Sequence, residues 1–323
     1  MKILLTGKHG QVGFDLRRSL AVCGDVCALD RQALDLTDPA AIRNTIRDLR
    51  PDVMVNAAGY TAVDRAETEP ETAWSVNAQA PQVMAEEAAR SGALLIHYST
   101  DYVFDGTKRE PYVETDRTHP LNVYGESKLE GERAIEASGA AYLILRTSWV
   151  YTTRGHNFLL TVLRLAQQRT ELTVVDDQIG APTWSASLAD ATAQVLQKAL
   201  SAGVSLRNVT GVYQLTAAGE TSWHGFAEAI LDQYARRALP IAGRVLPLTV
   251  NRIVPVSTEH YHTLARRPLY SILSNAKAQR VFGIFLPHWR EQLRCAWDAA
   301  QPEALAPPQL ACSRARVCRS GSE

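Results

Sequence analysis

The sequence has few of the features that mark an exported, membrane or nucleic-acid-binding protein. Its five cysteines, Cys23, Cys27, Cys295, Cys312 and Cys318, are odd in number and form no CxxC pair. That argues against a disulfide framework and against a structural zinc site, and they read as free thiols. No stretch approaches 18 uninterrupted apolar residues, so no membrane span is expected. In the opening MKILLTGKHG, Lys8 follows Lys2 too closely to leave a signal-peptide apolar region. A soluble cytoplasmic protein is the expectation. An excess of charge of either sign is also missing, with 34 basic against 34 acidic residues, so there is no broad field for nucleic acid or anionic lipid. Any partner must be met in a local site. The only close histidine pair, His260 and His262, has no cysteine or carboxylate cluster beside it and reads as ordinary chain, so no metal site is expected. No repeat of 20 to 50 residues is present.

What is present is apolar material in a regular alternation. At 46% hydrophobic over 323 residues, the chain buries a substantial core and is not disordered as a whole. KILLTG (2–7), DVCALD (25–30), DVMVNAAG (52–59), ALLIHYST (93–100) and YLILRTSWVY (142–151) read as strands. Helical segments separate them, including one from about 70 to 91 and one from about 123 to 137. Strands apolar on both sides with helices between them indicate an α/β, Rossmann-type doubly wound parallel sheet. Beyond about 152 the pattern is less regular: helices near 156–168, 185–200 and 222–237, and strands at LTVVDDQ and VYQLTA. The expected division is a dinucleotide-binding domain over 1–151, with some later elements returning to it. A smaller substrate-binding lobe over 152–300 follows, then a disordered tail from 301 rich in Pro, Ala, Ser and Arg.

The strongest local signal is Gly7-x-x-Gly10-x-x-Gly13, directly after the first strand and opening the first helix. A pyrophosphate needs a tight turn, close backbone approach and a helix N-terminus with free N–H groups, and glycine at this spacing supplies them. Asp30 ends the second strand about twenty residues on, where an acid binds an adenosine ribose. Arg31 follows it and would pair with a 2′-phosphate, so NADPH is preferred as cofactor with NADH as an alternative. Asp35 and Leu36 lie in the next loop, within reach of an adenine edge.

A second signal is Tyr124-x-x-x-Lys128 inside NVYGESKLEGE. On a helix these positions share a face, so the ammonium is expected beside the phenol, favouring its ionised form and lowering a reference pKa of about 10. The pattern alone is common. It gains weight by following the dinucleotide turn and by lying shortly after Ser99-Thr100 at the end of the fourth strand. Together Ser99, Thr100, Tyr124 and Lys128 suit proton transfer to a carbonyl oxygen while a nicotinamide delivers hydride.

These segments, with RTSWVY and DDQIGAPT, resemble the extended short-chain dehydrogenase/reductases, and more narrowly the family of dTDP-4-dehydrorhamnose reductases, over roughly residues 3 to 183. The resemblance implies a nucleotide-sugar ketoreductase that forms dTDP-L-rhamnose for bacterial surface polysaccharides. It implies Gly10, Gln11 and Val12 at the pyrophosphate and Asp30, Asp35 and Leu36 at the adenosine half. Ala58, Gly59, Tyr60, Thr61 and Tyr98 would meet the inner portion of the cofactor. Thr100, Tyr124 and Lys128 take the catalytic places, Lys128 also at the nicotinamide ribose, and Asp101 and Trp149 face the sugar nucleotide.

One departure stands out. Some members of that family dimerise through magnesium held by carboxylates. Here Asp15 keeps an acid, but Ala186 and Ser187 stand in the segment after APT, and Arg290 follows Trp289. A hard cation needs several oxygen ligands, so no magnesium bridge is expected, and the chain is expected to be a monomer or weak homodimer. Three other readings use the same residues: a related dTDP-sugar ketoreductase of different stereochemistry, a regulatory subunit that binds nucleotide without turnover, and an epimerase that retains its cofactor.

Overall fold

A computed structural model describes residues 1–201, 205–238, 245 and 247–300. Among them are eight strands of at least four residues: β1 (Lys2–Thr6), β2 (Asp25–Leu29), β3 (Val53–Asn56), β4 (Leu94–Thr100), β5 (Ala141–Thr147), β6 (Glu171–Val175), β7 (Gly211–Gln214) and β8 (Arg252–Val256). There are eight helices of nine residues or more: α1 (Gln11–Ser19), α2 (Pro39–Leu49), α3 (Ala80–Ser91), α4 (Val123–Ala137), α5 (Phe158–Ala166), α6 (Ser185–Ala199), α7 (Trp223–Arg236) and α8 (Trp289–Ala299). The tail expected to be disordered lies outside the described residues.

Six strands make one parallel sheet in the order β7-β5-β4-β3-β1-β2. The strands read as apolar runs because both faces are covered. Ile3, Leu5, Val53, Val55, Leu94 and Ile96 pack with α1 and α6, whereas the alternate residues Leu4, Met54 and Leu95 pack with α2 and α3. This is the two-residue period of a strand serving two helical layers. The chain leaves β1 toward β2 on one side and returns to β3 on the other, so the loops after β1 and β3 diverge. A crevice opens there, outside the carboxyl ends of the strands.

The first turn closes this crevice tightly. Gly7 has φ +77°, and a Cβ on Gly13 would lie 2.1 Å from the carbonyl oxygen of Gly7, so α1 starts against the turn with no room for a side chain. The helix Pro39 opens is capped by Asp38, whose carboxylate accepts from the N–H groups of Ala40 and Ala41.

The second half divides its elements. α6 packs on the main sheet beside α1, and β7 extends that sheet next to β5. β6 pairs in parallel with β8, and with α5, α7 and α8 they enclose a separate core around Phe226, Trp289 and Trp297. No element was expected at β8; its partner strand lies 81 residues earlier, and only tertiary pairing defines it.

Two expected elements are broken. The segment 70–91 is a short helix (Pro70–Trp74), a π-helical turn (Ser75–Gln79) and then α3. The run 142–151 is split, because Trp149 takes φ +46° and turns the chain between β5 and a two-residue strand, Val150–Tyr151. That strand pairs with Thr183–Trp184.

The Gly7–Gly13 contact is testable by Gly13→Ala. The methyl group must displace backbone, and overpacking of this kind costs about 1–3 kcal/mol. Thermal unfolding of the variant is expected several degrees below wild type; an unchanged midpoint would show that the turn tolerates a side chain.

Candidate active site

The crevice has the features of an anion cradle. Gly10 is the N-cap of α1 in extended conformation and no side chain caps the helix, so the first N–H groups are left for a ligand. Across the crevice, the loop after β3 carries Ala58, Gly59, Tyr60 and Thr61. Asn77, fully buried in the π-helical turn, holds this loop: its Oδ1 accepts from the Tyr60 N–H at 2.9 Å and its Nδ2 donates to the Tyr60 carbonyl at 3.0 Å. The same Nδ2 lies 3.0 Å from Ser127 Oγ of α4. Asn77 was not singled out from the sequence; a π-helical turn has no composition signal, and such turns recur at functional sites.

At the adenosine end, Asp30 is bonded by Lys8 Nζ at 2.9 Å and lies 3.2 Å from His9 Nε2. The bond from Lys8, then that from the Ala33 N–H, holds its carboxyl down at about 2. Arg31 reaches Asp35 only at 3.9 Å, and the Asp35 carboxylate caps its own turn by accepting from the Thr37 N–H and hydroxyl. Leu36 is buried with α2 and α3. A carboxylate and several cations therefore share this edge.

On the other side of the crevice, α4 begins at the Asn122 cap, whose Oδ1 accepts from the Gly125 N–H at 2.8 Å. Tyr124 lies in the first turn, partly exposed, its ring edge-on to Tyr102 at 5.9 Å. Its hydroxyl faces that of Thr100, whose influence lowers it, while burial of the phenol pushes it up to about 12. Thr100 Oγ1 in turn donates to Asp101 Oδ1 at 3.1 Å and accepts from the Tyr102 N–H. Burial raises Asp101 to about 7, with Ser271 and Thr100 acting the other way.

Lys128 departs from expectation. It shares the Tyr124 face of α4, yet its ammonium is turned to β4, where Nζ donates to the Tyr98 carbonyl at 2.5 Å and lies 3.2 Å from His97 Nε2. Burial lowers it to about 8, with Glu132 acting the other way. The ammonium does not act on the phenol, which stays above its ordinary value instead of falling below it. The reason is competition: β4 offers two acceptors within reach of the flexible stem, while the phenol is engaged by Thr100. Tyr98 contributes its carbonyl here, because its side chain points to the opposite face and bonds Thr192 Oγ1 at 2.6 Å.

Trp149 follows the carboxyl end of β5 and stacks on Trp223 of α7, ring centroids 3.5 Å apart and planes 4° apart. Its ring fills the space over Gly180, where a Cβ would come within 2.2 Å of it. Trp223 was not predicted; the TSWHG segment signals only a helix start, and Ser222 does cap α7 by accepting from the Gly225 N–H. Asp15 accepts from Ser185 Oγ at 2.6 Å and pairs with Arg154 at 2.7 Å, while the Arg290 guanidinium lies over the Trp289 ring at 4.4 Å. Among the described residues no group of three or more His, Cys, Asp or Glu side chains is placed to hold a metal ion, and no helix is long and apolar enough to cross a membrane.

The model of the RmlD substrate binding domain family matches residues 1–301. The dTDP-4-dehydrorhamnose reductase of Burkholderia thailandensis is 52% identical over 290 residues, covering 90% of this chain and 96% of the relative. That of Escherichia coli K12 is 46% identical over 294 residues, covering 90% and 95%. Among solved structures, the dTDP-4-dehydrorhamnose reductase of Bacillus anthracis in complex with NADP superimposes with a TM-score of 0.82 at 34% identity, over 92% of this chain and 99% of that one. Glycine turn, hydroxyl pair and matched length agree: the chain belongs to the dTDP-4-dehydrorhamnose reductase family.

Proposed function

We propose that this protein reduces the 4-keto group of dTDP-4-dehydro-L-rhamnose to the alcohol of dTDP-L-rhamnose with NADPH, NADH being an accepted alternative. The observation that carries this reading is the Thr100–Tyr124 hydroxyl pair. It lies at the carboxyl end of β4, on the crevice that the glycine turn borders.

The residues fit the dinucleotide. The first N–H groups of α1, from Gln11, Val12 and Gly13, are free of side-chain caps and suit a pyrophosphate. Asp30 suits a ribose hydroxyl, and Lys8, His9 and Arg31 around it suit a 2′-phosphate. The bound nicotinamide supplies the hydride for the carbonyl carbon. Tyr124 supplies the proton to the carbonyl oxygen, so that one C–H and one O–H bond form, and solvent restores the phenol. A phenol held at about 12 stays protonated at neutral pH, the state a donor needs. Thr100 orients the carbonyl oxygen, and Lys128 brings a positive charge to the ribose side of the crevice. Asp101 and the Trp149–Trp223 wall receive the sugar, the stacked rings excluding water from its apolar edge. The magnesium-bridged dimer is not part of this reading, because Asp15 is committed to Arg154 and Ser185 and a guanidinium follows Trp289. We place the protein in the cytoplasm as a monomer or weak homodimer.

The test follows NADPH and NADH oxidation at 340 nm with the keto sugar generated enzymatically from dTDP-glucose. Wild type is expected to turn over with dTDP-rhamnose as product. Tyr124→Phe should lower kcat by about 10²–10⁴-fold while binding dinucleotide; near-native turnover would remove Tyr124 from its role. With Asp101 at about 7 and Lys128 at about 8, rising pH ionises the carboxyl beside the donor and discharges the ammonium. The ionised carboxylate disfavours proton donation and the neutral amine loses its charge on the ribose side, so kcat/KM is expected to fall through pH 7 to 8, and a profile flat to pH 9 would contradict this assignment. For Trp223→Ala, the lost stack, worth about 0.5–1.5 kcal/mol, should raise KM for the sugar nucleotide up to roughly tenfold with dinucleotide affinity unchanged.

A further inference from the structure

Parallel register places Thr6, Asn56 and His97 side by side on β1, β3 and β4, all on the α4 side of the sheet. Their side chains are joined in a row. Thr6 Oγ1 lies 2.7 Å from Asn56 Oδ1, Asn56 Nδ2 lies 3.1 Å from His97 Nδ1, and His97 Nε2 lies 3.2 Å from Lys128 Nζ. All four residues are at most 5% exposed. An apolar residue would fit each of the three strand positions as well as Leu95 or Ile144 do in the same layers, so the row is kept against the desolvation cost of its polar groups.

We propose that His97 is a positioning residue that fixes the ammonium of Lys128, with Thr6 and Asn56 holding the imidazole in the one tautomer able to do so. The inference rests on the reading of Lys128 as part of the reductase site. An ammonium only donates, so His97 Nε2 must accept and Nδ1 must carry the hydrogen. Nδ1–H then needs an acceptor. A half-turn of the Asn56 amide about its last torsion puts Oδ1 toward His97 and Nδ2 toward Thr6 Oγ1 at the same two sites. Each of the three contacts of the row then pairs a donor with an acceptor. Burial and the charge of Lys128 hold the imidazole well below its ordinary range, so it accepts without adding a second cation. With the Tyr98 carbonyl and His97 each taking one N–H, Lys128 keeps its third for the crevice. A lysine free to rotate would lose side-chain entropy on reaching one geometry; here the row has already fixed it.

The test compares His97→Gln, His97→Asn and His97→Leu in the full chain. The Gln amide reaches about as far as Nε2 and can still accept from Lys128. The Asn amide reaches only the Nδ1 position, keeping the contact with Asn56 but not the one with Lys128. Turnover at saturating substrates, NADPH affinity from fluorescence, and melting temperature are read for each. His97→Asn and His97→Leu are expected to lose kcat by roughly ten- to hundred-fold, as misplacement of a catalytic group does, and His97→Gln to recover most of that loss. Equal activity of the Gln and Asn variants, or activity that follows melting temperature alone, would overturn the proposal. If His97→Leu does not fold, the Gln–Asn pair decides. If wild type does not reduce the keto sugar, the functional reading fails by itself. NADPH affinity then decides on His97: a Gln variant binding more tightly than the Asn variant supports the proposal, and equal affinities overturn it.

Discussion

The architecture depends on one constraint: strands buried on both faces carry polar side chains only where the sheet ends at the crevice. Past the exposed Lys2, β1 is apolar until Thr6, β3 is apolar until Asn56 and β4 until its final residues His97 to Thr100, and each of those polar residues is buried. Because the strands are parallel and in register, their carboxyl ends fall on one line, and the polar groups of distant segments meet there without any loop having to carry them in. The glycine turn, the Asn77 anchor and the cap of α4 then position what faces this line. Rigidity comes from the sheet, and the chemistry sits on its edge.

Burial also sets the electrostatics. The same low-dielectric surroundings raise the Asp101 carboxyl to about 7, lower the Lys128 ammonium to about 8 and lift the Tyr124 phenol to about 12. Desolvation always opposes the charged form, so an acid and a base buried together move toward one another and both come to lie near neutral pH. The phenol moves away from it. This separation keeps the phenol protonated at neutral pH, the state the proposed donor requires, while the carboxyl beside it titrates. Glu132 steadies the charge of Lys128 from one turn further along α4, and is itself neutralised by a bidentate buried pair with Arg146 of β5.

Much of this was legible in the sequence, and the residues show where legibility ends. The strands of the main sheet, the glycine turn and the bounds of α4 follow from local periodicity and capping, and the Rossmann-type fold followed from their alternation. The partner of Lys128 did not, because helical spacing fixes a shared face but not where a four-carbon stem points once β4 offers a carbonyl and an imidazole. The Thr6–Asn56–His97 row required the register of three strands separated by about 50 and 41 residues. Asn77 depends on an irregular turn inside a helical pattern, and Trp223 on the docking of α7 against the end of β5. Local order reads out of sequence, whereas juxtaposition across the sheet needs the fold.

Trp149 shows how the second lobe is tied to that edge. A bulky residue at φ +46° holds roughly 1–3 kcal/mol of backbone strain. Nothing local offsets it, since the adjoining strand is only two residues long. The compensation is tertiary: the ring lies flat on Trp223, which is itself packed on Phe158 at 4.5 Å, and it fills space that Gly180 leaves open. Strain, stack and open space are therefore one unit contributed by three separate segments. Their substitutions should not add, because removing either ring also removes what makes the turn at Trp149 tolerable. A strained turn held from the far lobe ties that lobe to the end of β5, and the place where the strain is stored is the wall proposed for the sugar nucleotide.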